Sequence, residues 1–263
     1  MFPMKAEDLV VLDDKTALVE AAAERIAAAL ENVGERGAVC LTGGSTILPV
    51  YRRLAEAPYR ARIPVARLHW FFGDERFVPA DDSRSNARQA RETLLEPLGV
   101  PAERIHAVPT DVKSLEAAAK AYQDDLVRFY ASRHGGSAGA CARALDPQKP
   151  LFDLVLMGLG GDGHTASLFP GKPAVEVTDR LVVGVPEAGL APFVPRVSLT
   201  LPALASTKAM LFVVSGADKR DPLARILAGE DLPAGRAHAN GAFTVLADRA
   251  AAPDPPPASK DLS

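Results

Sequence analysis

The stretch LFDLVLMGLGGDGHTASLFPG, residues 151–171, decides the fold of this chain. It begins with an almost uninterrupted apolar run, which is typical of a strand buried in a mostly parallel sheet. Glycines at positions 158, 160, 161 and 163 then end the strand in a tight turn, and we expect residues 165–169 to begin a helix. Asp162 and His164 therefore fall at the carboxyl end of a central strand, where open α/β sheets bind ligands.

Three interpretations of this turn compete. Gly158, Gly160 and Gly163 satisfy the dinucleotide pattern GxGxxG, but a pyrophosphate would meet the carboxylate of Asp162, and the motif lies far from the first strand–helix unit. A glycine-rich turn can also be a plain connection in which a backbone carbonyl satisfies His164. An acid, a glycine and a histidine within one turn favour the third interpretation, a proton-transfer site.

The same order of features occurs at four places: an apolar strand, a glycine, a polar cluster and a helix. The four glycines are Gly43, Gly73, Gly158 and Gly216. This repetition predicts one α/β domain over residues 1–249, with a doubly wound, mainly parallel, Rossmann-like sheet and helices on both faces. The predicted strands cover residues 38–41, 68–72, 105–108, 151–157, 181–185, 196–200, 209–214 and 243–246, and the clearest predicted helices cover 14–32, 87–95, 114–131 and 222–227.

Two segments are predicted to lie outside this framework. Residues 133–148 are rich in glycine, alanine and serine, which indicates a flexible surface insertion, so His134 and Cys141 carry no predicted role. Residues 250–263 contain PDPPP and are predicted to form a disordered tail.

Composition excludes several classes of function. A net charge of −3 argues against nucleic acid or an anionic membrane as the main partner, and no apolar run is long enough to span a bilayer. Cys40 and Cys141 form no CxxC, and the five histidines show neither HxxxH nor HExxH spacing. We expect a cytoplasmic monomer without a metal or cofactor, because no secretion signal and no exposed apolar stripe is evident.

Two segments are candidates for binding phosphate. Residues 42–46, TGGST, join a strand to a helix: Gly43 and Gly44 expose backbone amides, and Ser45 and Thr46 add hydroxyl donors. Lys219 lies just before a predicted helix, where a cation is unfavourable unless an anion joins it.

The polar cluster at residues 73–76 is ambiguous by itself. Asp74, Glu75 and Arg76 follow a strand and could form a solvated loop, or they could face the same crevice as Asp162. Asn86 follows Ser85 at a predicted helix start; it is a candidate for binding the substrate or its phosphate, but it could be only a cap.

Six motifs together resemble the 6-phosphogluconolactonases. They are LTGGST at 41–46, FFGDERFVP at 71–79, SN at 85–86, GLGGDGHTASLFPG at 158–171, RVSLTLPAL at 196–204 and SGADK at 215–219. One departure is Ile47, where the family usually has proline. The resemblance implies hydrolysis of 6-phospho-D-glucono-1,5-lactone, a small phosphorylated sugar lactone, to 6-phospho-D-gluconate in the oxidative pentose phosphate pathway.

The resemblance also implies roles for individual residues. Asp74 and Arg76 would orient the histidine or bind sugar oxygens, and Arg196, which otherwise could face solvent, would contact the substrate phosphate. Our mechanistic hypothesis is that His164, oriented by a neighbouring carboxylate, activates water for attack on the lactone carbonyl. Arg76 or loop amides would stabilise the oxyanion. No GxSxG motif is present, which disfavours an acyl-enzyme.

Two alternatives remain open at this point. Glucosamine-6-phosphate deaminases share the superfamily, but they typically have a glutamate shortly after the histidine, where this chain has residues 167–169, and a tyrosine in place of Arg76. A non-catalytic sugar-phosphate sensor would need an output module, and no basic recognition helix is evident.

Overall fold

A six-stranded parallel sheet forms the centre of the computed structural model, which describes residues 4–135 and 145–254. The predicted α/β class with a mainly parallel sheet is confirmed. In spatial order the strands are β1 (Leu9–Leu12), β9 (Ala242–Asp248), β8 (Thr207–Val214), β5 (Phe152–Met157), β2 (Gly37–Leu41) and β3 (Leu68–Phe72). The strand that carries the glycine-rich turn, β5, is thus central, between β8 and β2.

A second, smaller sheet is antiparallel. It consists of β4 (Asp74–Arg76), β7 (Arg196–Leu199) and β6 (Val182–Val185). The chain passes from β3 through Gly73 directly into β4, and the register places Arg76 opposite Arg196. Two of the predicted strands, at 181–185 and 196–200, therefore belong to this second sheet and not to the parallel one.

Eight α-helices surround the sheets in the described residues. They are α1 (Lys15–Glu31), α2 (Leu48–Leu54), α3 (Asn86–Ala90), α4 (Glu96–Leu98), α5 (Leu115–His134), α6 (Leu201–Ala205), α7 (Arg220–Leu227) and α8 (Pro233–Arg236), with a π-helical segment, Arg91–Leu95, between α3 and α4. The two long helices begin as predicted: the side chains of Asp14 and Ser114 accept hydrogen bonds from the amides of Ala17 and Ala117. None of the helices in the described ranges combines the length and apolar character needed to cross a membrane.

Both faces of β5 are buried, each in a different apolar cluster. Val155 and Met157 pack with α5 residues such as Tyr122, whereas Leu154 and Leu156 pack with α1 residues such as Ile26. Successive side chains of a strand point to opposite faces, so one apolar run supplies both clusters. Full burial of each large apolar side chain contributes about 2 kcal/mol. The apolar residues of β5 are all buried, and its one charged residue, Asp153, is buried and forms ion pairs with Arg133 and Lys208.

The helix predicted at 165–169 is wrong. Ala166 has a φ of +48°, and Thr165 and Leu168 form an isolated bridge. The side chain of Thr165 donates to the carbonyl of Gly158, and that of Ser167 donates to Asp74, so tertiary hydrogen bonds hold the segment in an irregular conformation. The strand–glycine–helix pattern consequently holds after Gly43 and Gly216 but not after Gly73 or Gly158.

One predicted strand needs correction, and one observed strand was not predicted. Residues 105–108 are not a strand, because only Ile105 bridges to Trp70 of β3. The strand predicted at 243–246 is observed as β9, but the sequence pattern did not reveal β1, which lies outside β9 at that edge of the sheet.

The structure describes only the start of the predicted tail at 250–263. Ala251 and Ala252 are buried there, and 255–263 lies outside the described residues. The predicted insertion begins inside α5: Arg133 donates to Asp153, and the His134 ring contacts the carbonyl of Pro150. Its centre, 136–144 with Cys141, lies outside the described residues, and the single-domain assignment stays a prediction.

A chain of ionisable side chains connects β3 to α5. His69 Nδ1 lies 2.9 Å from His106 Nε2, and His106 Nδ1 lies 2.7 Å from Asp125 Oδ2. Burial, and then the positive charges of His106, Arg36 and Arg104, lower the pKa of His69 from 6.5 to about 4, against the opposing effect of Asp125.

This pKa predicts a pH-dependent stability. Between pH 6.5 and pH 4 the unfolded chain binds more protons at His69 than the native protein does, so stability falls as pH falls through this window. Urea unfolding at several pH values should show a shallower loss for His69→Asn than for the parent protein. Equal slopes for the two proteins would contradict the assignment.

Candidate active site

A polar cleft of about 270 Å³ lies at the carboxyl ends of β2, β5 and β8, beside the antiparallel sheet. Of the residues predicted from sequence, all but Asp162 line this cleft: Gly43, Gly44, Ser45, Thr46, Asp74, Arg76, Asn86, His164, Arg196 and Lys219. Asp162 does not line the cleft but contacts His164, which does. The structure thus brings the predicted acid–base group and the predicted phosphate donors into one space.

Asp162 holds the imidazole of His164. Its Oδ1 lies 2.5 Å from His164 Nδ1 and also accepts from the amide of His164 at 3.1 Å. Burial alone would raise the pKa of Asp162, but the hydrogen bond and the charge of His164 outweigh burial and hold that pKa below its ordinary value. An ionised Asp162 accepts a hydrogen bond from Nδ1–H, which keeps the proton on Nδ1 and leaves Nε2 with the lone pair that a general base needs.

The position of this imidazole depends on a missing side chain. A Cβ on Gly160 would lie 2.0 Å from His164 Nδ1, so only glycine leaves room for the ring. The ring also packs against Phe169, with 4.5 Å between ring centroids. Contacts with Gly160 and Phe169 therefore restrict the position of the His164 ring.

Asp74 makes a different set of contacts from the one that would orient the histidine. It is buried, and its carboxylate accepts from Ser167 Oγ at 2.5 Å and from Asn86 Nδ2 at 3.2 Å. Arg196 Nη1 lies 4.0 Å from its Oδ2. Of the two predicted carboxylates, Asp162 and not Asp74 contacts His164.

Arg196 is buried in the cleft wall, so the solvent-facing alternative is wrong. Its Nε and Nη2 donate to the carbonyls of Val194 and Pro192. Burial lowers the pKa of Arg196 and the charge of Asp74 opposes that effect, yet an arginine remains protonated at neutral pH. A fixed positive charge therefore faces the cleft.

Glu75 organises the wall that carries Arg76 and Asn86. Its buried carboxylate accepts from the amides of Arg76, Asn86 and Ala87 and from Ser85 Oγ. Burial raises the pKa of Glu75, and these amides partly offset the effect. Sequence reasoning gave Glu75 no separate role, because its partners at 85–87 lie in another segment.

Asn86 is not the helix cap. The capping side chain is Ser85, which accepts from the amide of Arg88, while Asn86 is the first residue of α3 and donates to both the carbonyl and the carboxylate of Asp74. A Cβ on Gly43 would lie 2.0 Å from Asn86 Oδ1. Gly43 and Asn86 thus touch, which ties the phosphate-binding candidate at 42–46 to the wall of Asp74.

The turn at 42–46 has unused hydrogen-bond donors. Tyr51 OH accepts from the amide of Thr42 and donates to its carbonyl, which fixes the start of the turn. No hydrogen bond within residues 4–135 and 145–254 is donated by the amides of Gly44, Ser45 or Thr46. These groups line the cleft and are available to an anion.

Lys219 faces the same cleft from the opposite segment. It ends a short 3₁₀ turn, Ala217–Lys219, and its Nζ lies 2.8 Å from Asp218 Oδ2. Asp218 and Ser215 also line the cleft and lie in the SGADK motif, but their roles were not predicted. Leu190, Ala191 and Ala166 line it as well, and no motif among those quoted above marks the first two.

Among the described residues, no three histidine, cysteine, aspartate or glutamate side chains are grouped so that they could hold a metal ion.

A family model and individual relatives of known name point to the same protein family. The family described as glucosamine-6-phosphate isomerases/6-phosphogluconolactonase matches residues 13–246. A 6-phosphogluconolactonase of Synechocystis is 37% identical over 232 residues, covering 87% of this chain and 88% of the relative. One from Mycobacterium leprae is 36% identical, covering 86% and 87%.

Solved structures agree with these relatives. The 6-phosphogluconolactonase of Thermotoga maritima superposes with a TM-score of 0.75 at 31% identity, covering 92% of this chain and 99% of that one. A monomeric glucosamine-6-phosphate deaminase has the same TM-score but only 19% identity, so that likeness concerns the fold alone. By the match over residues 13–246 and the extent of these similarities, this chain belongs to the glucosamine-6-phosphate isomerase/6-phosphogluconolactonase family.

Proposed function

We propose that this protein hydrolyses 6-phospho-D-glucono-1,5-lactone to 6-phospho-D-gluconate without a metal or cofactor. The observation that carries the proposal is the hydrogen-bonded Asp162–His164 pair in a cleft that also holds Arg76, Arg196 and Lys219. A base and several cations in one cleft suit an anionic substrate with a hydrolysable carbonyl. The names of the relatives at 36–37% identity support the same reaction.

The chemistry follows from the geometry of His164. Its Nε2 removes a proton from water as the water oxygen bonds to the lactone carbonyl carbon, and Asp162 stabilises the imidazolium that forms. When the tetrahedral intermediate collapses, the bond between that carbon and the ring oxygen breaks, and the imidazolium returns its proton to the ring oxygen. The product is a carboxylic acid, which ionises at neutral pH.

The hydrogen-bond donors of the cleft have two tasks, to bind the phosphate and to bind oxygens near the reacting carbonyl. The phosphate is bound by Lys219, Arg196 and the free amides at 44–46, because together they offer positive charge and directed N–H donors. Arg76 lines the same wall, and its Nε is buried without a hydrogen-bond partner among the described residues. This guanidinium is suited to a sugar oxygen or to the oxyanion that forms during attack.

The reaction is tested by following freshly prepared 6-phospho-D-glucono-1,5-lactone against its spontaneous hydrolysis. We expect the protein to accelerate its disappearance well above that background. Ammonia release from glucosamine 6-phosphate, measured in parallel, tests the deaminase alternative and should be absent. A lactone rate equal to the background would overturn the proposal.

Replacement of the base should affect turnover more than binding. For His164→Ala we expect kcat to fall by about 10²–10⁴-fold, which is the usual contribution of a positioned general base, while KM changes little. Asp162→Asn should reduce kcat less, because the imidazole remains but loses its carboxylate. Near-normal kcat in His164→Ala would remove His164 from the mechanism.

Two neighbouring glycines offer a matched pair of variants. Gly160→Ala places a Cβ 2.0 Å from His164 Nδ1 and should displace the imidazole, whereas a Cβ on Gly161 meets nothing closer than 4.0 Å. We expect Gly160→Ala to lose at least about tenfold in kcat and Gly161→Ala to retain most of it. Similar kinetics for the two variants would show that the space at Gly160 does not matter.

We further propose a cytoplasmic monomer. The two exposed large apolar side chains among the described residues, Leu190 and Phe193, lie in the loop beside the cleft and form no broad patch. Cys40 is a free thiol and is buried. Analytical ultracentrifugation at several protein concentrations tests whether the protein is monomeric. We expect the mass of one chain at every concentration, and a mass that rises with concentration would contradict the proposal.

A further inference from the structure

We propose that Asp248, at the end of β9, is a positioning residue for the phosphate end of the cleft. Its carboxylate accepts hydrogen bonds from the turn at 215–219 and so determines the position of Lys219. This inference rests on the proposed function, in which Lys219 binds the substrate phosphate. Asp248 itself does not line the cleft.

The carboxylate of Asp248 collects donors from two separate segments. Ser215 Oγ donates to Oδ2, and the amides of Gly216 and Ala251 donate to Oδ1 at 3.1 Å and 2.9 Å. Asp248 is only 4% exposed. Three hydrogen bonds to one buried carboxylate therefore join the end of β8 to the end of β9.

Asp248 differs from a buried carboxylate in an ion pair, because its hydrogen-bond partners carry no charge. Asp153 is equally buried, but it lies near the amino end of the central strand β5 and pairs with Arg133 and Lys208. Asp248 has no cationic partner within 4.0 Å in the described residues, and its three donors are all neutral. A carboxylate buried in this way requires fixed donors, so the donors must keep one arrangement.

Gly216 transmits this arrangement to Lys219. Gly216 has a φ of +101°, which favours glycine, and its carbonyl accepts from the amide of Lys219 at 3.0 Å. The amide side of the Gly216 residue is thus fixed by Asp248 and its carbonyl side by Lys219. A shift of Gly216 would move the start of the 3₁₀ turn that ends at Lys219.

A second contact fixes the residue after Lys219. Arg220 donates from Nε to the carbonyl of Ala250 and from Nη2 to the carbonyl of Arg249. Those two residues directly follow Asp248, whose own carbonyl accepts from the amide of Ala251. The segment 248–251 therefore contacts the chain both before Lys219, at residues 215–216, and after it, at residue 220.

Two substitutions at this position should behave differently. Asp248→Ala removes all three acceptors. Asp248→Asn keeps an amide oxygen for Gly216 and Ala251, and the hydroxyl of Ser215 can rotate to accept from the new NH₂. The asparagine variant should therefore restore most of the geometry that the alanine variant loses.

The experiment measures KM, kcat and thermal stability for the parent protein and for Asp248→Ala, Asp248→Asn, Lys219→Ala and the double variant Asp248→Ala/Lys219→Ala. We expect Asp248→Ala to raise KM for the phosphorylated lactone about tenfold and to leave kcat within about twofold. Asp248→Asn should lie close to the parent. In the double variant KM should be close to that of Lys219→Ala alone, because the two residues act through one contact.

Asp153→Asn is the matched control, since it alters an equally buried carboxylate away from the cleft. It should lower thermal stability and leave KM unchanged. If Asp248→Ala is too unstable to assay, Ser215→Ala removes one of the three hydrogen bonds and should give a smaller rise in KM.

The outcomes separate this inference from the proposed function. An unchanged KM in Lys219→Ala would overturn the phosphate role of Lys219 and this inference with it. A raised KM in Lys219→Ala, together with an unchanged KM in Asp248→Ala or a fully additive double variant, would overturn this inference alone.

Discussion

The parallel pairing of β5 with both β2 and β8 is the constraint on which the site depends. Leu154 aligns with Val39 on one side and with Ala209 on the other, so the carboxyl ends of the three strands lie on the same side of the sheet. Each strand leads into a turn, and these turns carry residues 42–46, 158–164 and 215–219. Because parallel strands share one direction, three polar turns from distant parts of the chain open at a single edge. A slip in either pairing would separate the base from the phosphate donors.

Two buried carboxylates next to the cleft have neutral hydrogen-bond donors, which matters because the proposed substrate is an anion. The chain has a net charge of −3, yet its substrate in the proposed reaction is an anion. Glu75 and Asp248 lie inside the wall and accept from neutral amides and hydroxyls, which disperse their charge. Arg196 and Lys219 face the cleft, and each lies near one carboxylate that also lines it, Asp74 and Asp218 respectively. Glu75 and Asp248 thus fix the backbone without adding further negative charge to the lining that binds the phosphate.

Local chemistry could be predicted from the sequence, and non-local contacts could not. The Asp162–His164 pair lies two residues apart and follows a strand that the apolar run made evident, so its place at the strand end was predictable. The false helix at 165–169 shows the limit, because Ser198 and Asp74, which hold Ser167 in an irregular conformation, are distant in sequence. Asp248 and Leu190 were missed for the same reason: what they contact is settled only by the fold.

The two halves of the site consequently differ in how they are built. The base depends on a short segment, in which Asp162, Gly160 and Phe169 fix the imidazole. The phosphate end is assembled from three segments, and its lysine depends on backbone held by β9. Loss of packing at the outer strands should therefore disturb binding before it disturbs the acid–base pair. A separation of this kind lets binding and chemistry be read independently from KM and kcat.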